Sequence, residues 1–91
     1  MPAQGKFFFT PHSVNQYRAR VHRGISYERA LRELVQESAR SHFVKLYNGG
    51  VEYWRGPRPM RLRFLVDSSG SGLPAVVTVL PAADAMIRGT L

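Results

Sequence analysis

The spacing of apolar residues along this chain changes once, near residue 42, and that change constrains the fold more than any other feature. Before it, apolar positions recur at helical intervals; after it, they alternate. Thr10-Pro11 reads as a helix start, with threonine as N-cap and proline in the first helical position. The predicted helix runs over Pro11–His22 with Val14, Tyr17 and Val21 as its apolar stripe, and Gly24 supplies a left-handed stop. Ser26 caps a second predicted helix reaching Arg40, whose buried face is Tyr27, Ala30, Leu31, Leu34, Val35 and Ser38. Glu28/Arg32 and Arg29/Glu33 fall at i,i+4 on the side expected to face solvent.

After residue 42 the elements are strands. Phe43–Tyr47 and Val51–Arg55 flank Asn48-Gly49-Gly50, where Asn-Gly tolerates the positive φ angles of a tight hairpin turn. Met60–Asp67 alternates, with Met60, Leu62, Phe64 and Val66 on one face and Arg61, Arg63, Leu65 and Asp67 on the other. Ser68–Gly72 is a loop, and Leu73–Leu80 is a nearly continuous apolar strand suited to the inside of a sheet. Pro81–Arg88 has the composition for one or two helical turns. With the aromatic run Lys6–Phe9 in front, the order is β-α-α-β-β-β-β. This predicts an α+β fold in which two N-terminal helices pack on one face of an antiparallel sheet of about four strands.

Residues 1–91 fit a single domain. A chain this short builds a thin core, so Phe7, Phe8, Phe9, Met86, Ile87 and Leu91 suggest more apolar surface than one copy hides; a homo-oligomer is expected. No apolar run approaches the ~20 residues of a membrane span. Met1–Phe9 lacks a signal-peptide core, so the expected location is cytoplasmic with no membrane partner. The absence of cysteine excludes disulfides and thiolate chemistry.

Thirteen Lys+Arg against six Asp+Glu give a net charge of +7, a field that attracts anions and above all phosphates. Lys6, Arg18, Arg20 and Arg23 lie in a stretch without an acid, and Arg40, Lys45, Arg55, Arg58, Arg61 and Arg63 surround only Glu52. Glu28, Glu33 and Glu37 mark the second helix as a solvated back. His12, Gln16 and Arg20 form an i, i+4, i+8 polar stripe, with Arg23 beside it; His12, near the helix start, either orders the turn or meets an anion. Arg61 and Arg63 are expected to point the same way and clamp phosphate bidentately. Tyr47, Tyr53 and Trp54 are aromatics near arginines, and an aromatic plane beside arginines can stack a base. Tyr53 and Arg55 share a hairpin face, with Trp54 opposite and better suited to the core, and Tyr47 fits either the core or a ligand. Together His12 and Arg20 are expected to face Arg61 and Arg63 across a cleft, closed on one side by Tyr53 and Arg55. Histidines ten and twenty residues apart make no recognisable metal ligand set, no cofactor motif is present, and no catalytic residue is assigned. The Ser68–Gly72 loop is a weaker candidate phosphate cradle.

The segment Thr10-Pro11-His12-Ser13-Val14-Asn15-Gln16-Tyr17-Arg18-Ala19-Arg20-Val21, followed by Gly24-Ile25-Ser26 and Ala30, resembles small bacterial and phage proteins of the RelE/ParE-type toxin fold. In those proteins a His-Ala-x-x-Arg/Tyr-x-x-Arg helix precedes a Gly-Ile-Ser that opens the second helix. The resemblance implies a role for His12, Tyr17 and Arg20, and the group includes ribonucleases. After Arg63 only Arg88 remains of a basic C-terminal cluster, a departure from the ribosome-dependent toxins. Small size, a basic front and no catalytic set also resemble phage-encoded proteins that sequester cyclic-nucleotide-type immune signals in anti-defence. The expected function is therefore non-enzymatic binding of a phosphate-bearing nucleotide. The alternatives are a ribonuclease using His12, Tyr17 or Tyr53, and Arg61, or an RNA- or protein-binding adaptor.

Overall fold

The computed structural model describes residues 6–82. Two helices, α1 (Pro11–Arg20) and α2 (Tyr27–Ala39), accompany five strands: β1 (Phe8–Phe9), β2 (His42–Tyr47), β3 (Val51–Arg55), β4 (Arg63–Asp67) and β5 (Ala75–Leu80). The sheet order is β1-β5-β4-β3-β2. All neighbours are antiparallel except β1, which pairs parallel to β5 through Phe8 with Ala75 and Phe9 with Val76. The sheet is thus mixed and five-stranded, where an antiparallel sheet of about four was expected. The reason is chain direction: β1 leads straight into α1, which crosses back over the sheet, and parallel neighbours need such a crossover.

Thr10 begins α1 as predicted. Its Oγ1 accepts from the Ser13 N–H at 3.2 Å and donates to the Val76 carbonyl at 3.0 Å, so one residue caps the helix and ties it to β5. The helix ends at Arg20, short of the expected His22. The Val21 amide still makes the helical bond to the Tyr17 carbonyl, but the His22 amide turns to that same carbonyl, one residue further back than a helix allows. Gly24 takes its positive φ of 85° in the interhelical turn rather than at the helix cap. Ser26 caps α2 through the Arg29 N–H.

The core lies between the helices and one sheet face. Phe7, Phe9, Val14, Tyr17, Ala30, Leu34, Leu62, Phe64, Val66, Val76 and Val79 are all buried. Phe7 and Phe9 therefore belong to the core, and only Phe8 of the opening aromatics is exposed. Trp54 joins the same side, edge-on to Phe7 at 5.2 Å and Phe43 at 5.8 Å, with its indole N–H donating to Glu52 at 2.8 Å. Met86, Ile87, Leu91 and most of the expected Pro81–Arg88 turns lie outside the described residues. No helix among the described residues is long and apolar enough to cross a membrane.

Candidate functional site on the open sheet face

Strand alternation assigns every side chain of the sheet to one of two faces. Phe64 pairs with Trp54 and Val79, and Val66 with Glu52 and Val76, which defines the helix-covered face. The opposite face carries a row His42–Arg55–Arg63–Leu80 and a row Lys45–Tyr53–Leu65–Thr78. No described element covers it. Tyr53, Arg55 and Arg63 share this face as the alternation predicts, and Trp54 lies on the other.

Tyr47, Asn48, Val51, Tyr53, Arg63, Leu65 and Leu80 line one hollow of about 420 Å³ on this face. In a flat sheet β2 and β5, three positions apart, stand roughly 14 Å from each other. Side chains of both nonetheless line this one hollow. Arg55 and Arg63 are directly opposite on antiparallel strands. The Arg55 Nε is buried without a hydrogen-bond partner, while the Arg63 Nε donates to the Pro81 carbonyl at 2.9 Å. Lys45 Nζ sits 5.1 Å from the Tyr47 ring centre. The hollow has tyrosine planes and apolar walls that fit a flat ring, with Arg63 in its lining and Arg55 opposite Arg63 in the register.

Arg61 falls outside this set. It precedes β4 in a left-handed conformation (φ 49°), with its N–H bonded to the Pro57 carbonyl at 2.9 Å. The alternation expected to align it with Arg63 stops at the strand end. Nor does α1 face Arg63 across a cleft, because the helices pack on the other side of the sheet. His12 is exposed and hydrogen-bonded to Gln16 at 3.0 Å. The Gln16 Oε1 accepts the Val79 N–H at 2.9 Å, serving a stretch of β5 that β1 does not reach. Arg20 and Arg23 line a second hollow of about 340 Å³ with Ala19, Leu80 and Pro81, and the Arg23 Nε also caps the Ala19 carbonyl.

Tyr17, implied by the resemblance, is a core residue, 1% exposed. Its hydroxyl donates to Glu33 at 2.6 Å, and Glu33 also meets His22 at 2.8 Å and Arg29 at 3.2 Å. Burial first, and then the bond to Glu33, push the Tyr17 hydroxyl well above the ordinary tyrosine range, so it is unfit as a general acid. Burial raises Glu33, but the bonds from Tyr17, His22 and Arg29 outweigh it and hold the carboxylate below its usual value. Glu33 thus locks α1 to α2 and is no part of a solvated back. Glu37 is also half-buried and its carboxyl is pushed up by burial. In the Ser68–Gly72 loop, the Ser69 N–H and hydroxyl are taken by Asp67 at 2.9 and 2.6 Å, which puts a carboxylate where a phosphate cradle was considered.

Tyr47, an aromatic that the sequence made a candidate for either base stacking or the core, and Lys45, one of the basic stretch, fall on this face, and Leu65 and Leu80 were not singled out as site residues. The register of the Asn48–Gly50 hairpin carries the signal for the first two, since it pairs Tyr47 with Val51 and Lys45 with Tyr53. A bulge between Phe43 and Lys45 interrupts that count. Comparisons with protein-family models, curated proteins and solved structures find no match to this chain, and the side chains themselves are what bears on function.

Proposed function

We propose that this protein binds a phosphate-bearing nucleotide on the open face of its sheet, without turning it over. The observation that carries the reading is the juxtaposition of Tyr53 and Tyr47 with the cross-strand pair Arg55 and Arg63 on a face that no described element covers. A base stacks on a tyrosine plane, a contact worth roughly 1–3 kcal/mol. Its phosphate lies between two guanidiniums whose mutual repulsion it relieves. His12 and Arg61 drop out of the binding set, and Gln16 serves the fold. The RelE/ParE-type resemblance belongs to this reading as well; two helices stacked on one sheet face and the opposite face left open support it. A sequestering, anti-defence role requires affinity alone, and His12, the base of the ribonuclease alternative, sits on the helix side of the sheet, away from Arg55 and Arg63.

The test is to incubate the purified protein with a panel of linear and cyclic nucleotides, record thermal shifts, and recover the ligand after heat release. A nucleotide at a hundred times its Kd adds about 2.7 kcal/mol, raising the Tm of a domain this size by ~10 °C or more. The ligand should be recovered intact. Recovery of cleaved ligand, abolished by His12→Asn, would replace this reading with the ribonuclease.

A further inference from the structure

The two hollows meet at one residue. Leu80 lines the 420 Å³ hollow on the open face and also the 340 Å³ hollow between the end of α1 and Pro81. Each lies near the lower end of the roughly 300–1,000 Å³ of ordinary ligand pockets, which suits one nucleotide unit apiece better than one large ligand in either. Among the described residues, neither lining contains an acid. Arginines mark both: Arg63 is anchored on the Pro81 carbonyl from the sheet side, and Arg20 and Arg23 flank the same segment from α1. Basic residues in the last turn of a helix commonly serve its dipole, and Arg23 does so through the Ala19 carbonyl. Arg20 does not: it is exposed and makes no hydrogen bond or ion pair among the described residues.

Resting on the nucleotide reading above, we propose that the ligand is a short single-stranded oligonucleotide rather than a single nucleotide. One unit sits against Tyr47 and Tyr53 with its phosphate at Arg55 and Arg63. The strand then passes over Leu80, around the C-terminal end of β5, and presents a neighbouring phosphate to Arg20 and Arg23. The helix-side arginines, which the sheet separates from the open face, thereby join the same site at its rim.

The test is a length series of oligouridylates, from the 5′-mononucleotide to the tetramer, titrated against the wild type, Arg20→Ala/Arg23→Ala and Arg55→Ala at several salt concentrations. Affinity should rise at least tenfold between the monomer and the trimer. The slope of log K against log salt should steepen by about 0.7, the contribution of the one added phosphate contact in a single strand. The Arg20→Ala/Arg23→Ala variant should lose that gain and that extra slope while binding the mononucleotide as the wild type does. Arg55→Ala should weaken every length. Equal affinity for monomer and tetramer would overturn the oligonucleotide assignment and leave nucleotide binding standing, as would a double variant that weakens monomer and trimer alike. Absence of binding at every length would remove both.

Discussion

Arg55 and Arg63 stand opposite each other on adjacent antiparallel strands, two guanidinium-bearing side chains on one sheet face. Like charges in that relation destabilise a sheet, and the Arg55 Nε is buried there without a partner. That orphaned donor costs stability, and an anion bound at Arg55 would offset the cost.

That cost and that use are separable by one substitution. Arg55→Thr removes the repulsion and should stabilise the free protein by about 0.2–1 kcal/mol, read as a higher denaturation midpoint. The same change should weaken nucleotide binding by about 1.5–3 kcal/mol, roughly ten- to a hundredfold. Arg32→Ala, on the exposed side of α2, should change neither. If Arg32→Ala weakens binding as much, the attraction is overall charge alone.

Gln16 is expected to matter for folding and little for ligand. Gln16→Leu leaves the Val79 N–H without its acceptor, an orphaned donor costing about 1–3 kcal/mol. Gln16→Glu keeps an acceptor at that place and should recover most of the loss. Thermal melts of the two variants decide it; equal melts would show that the bond contributes nothing.

Glu33 joins Tyr17, His22 and Arg29 across the helix pair. Glu33→Gln should cost about 1 kcal/mol at neutral pH, the charged hydrogen bonds being partly screened by solvent. Because the folded-state carboxylate is held below its ordinary value of 4.5, its contribution is complete above that pH and fades as pH falls through the folded value. The stability gap between wild type and variant should therefore close on acidification below about pH 4.5. Glu37, displaced in the opposite direction, is present in both proteins and cancels in the difference. A gap that is constant from pH 7 to pH 3 would contradict the assignment.

The chain is expected to self-associate along β2, the outer strand opposite β1 in the sheet. Phe43, Val44 and Leu46 there are 49%, 45% and 60% exposed, an apolar edge of the kind that pairs with another strand. This places the homo-oligomer contact on β2 instead of on the opening phenylalanines. Light scattering at micromolar concentration should give a dimer mass that Leu46→Lys returns to the monomer. A monomer mass for the unaltered protein would refute it.

Within the chain, the local features were legible because their causes lie within a few residues. Thr10-Pro11 and Ser26 start helices through side-chain caps on the next turn, Asn48-Gly49-Gly50 closes a hairpin, and alternation sorts Tyr53 and Arg55 from Trp54. Alternation gives parity only, and it ends where the strand does. That is why Arg61 was grouped with Arg63 until the backbone at 61 proved left-handed.

What tertiary structure alone decided are the contacts between residues far apart in sequence. Gln16 reaches Val79 across 63 positions, and β1 joins β5 in parallel with both helices and three strands between them in the chain. Tyr47 and Leu80, 33 positions apart, line one hollow. Local propensity carries no information about which of two faces the helices will cover, because both faces of β3 and β5 offer apolar side chains. Packing the stripe of Val14 and Tyr17 against Phe64, Val66 and Val79 settled the matter. In burying that face, it left the other, with its arginines and tyrosines, uncovered by any described element.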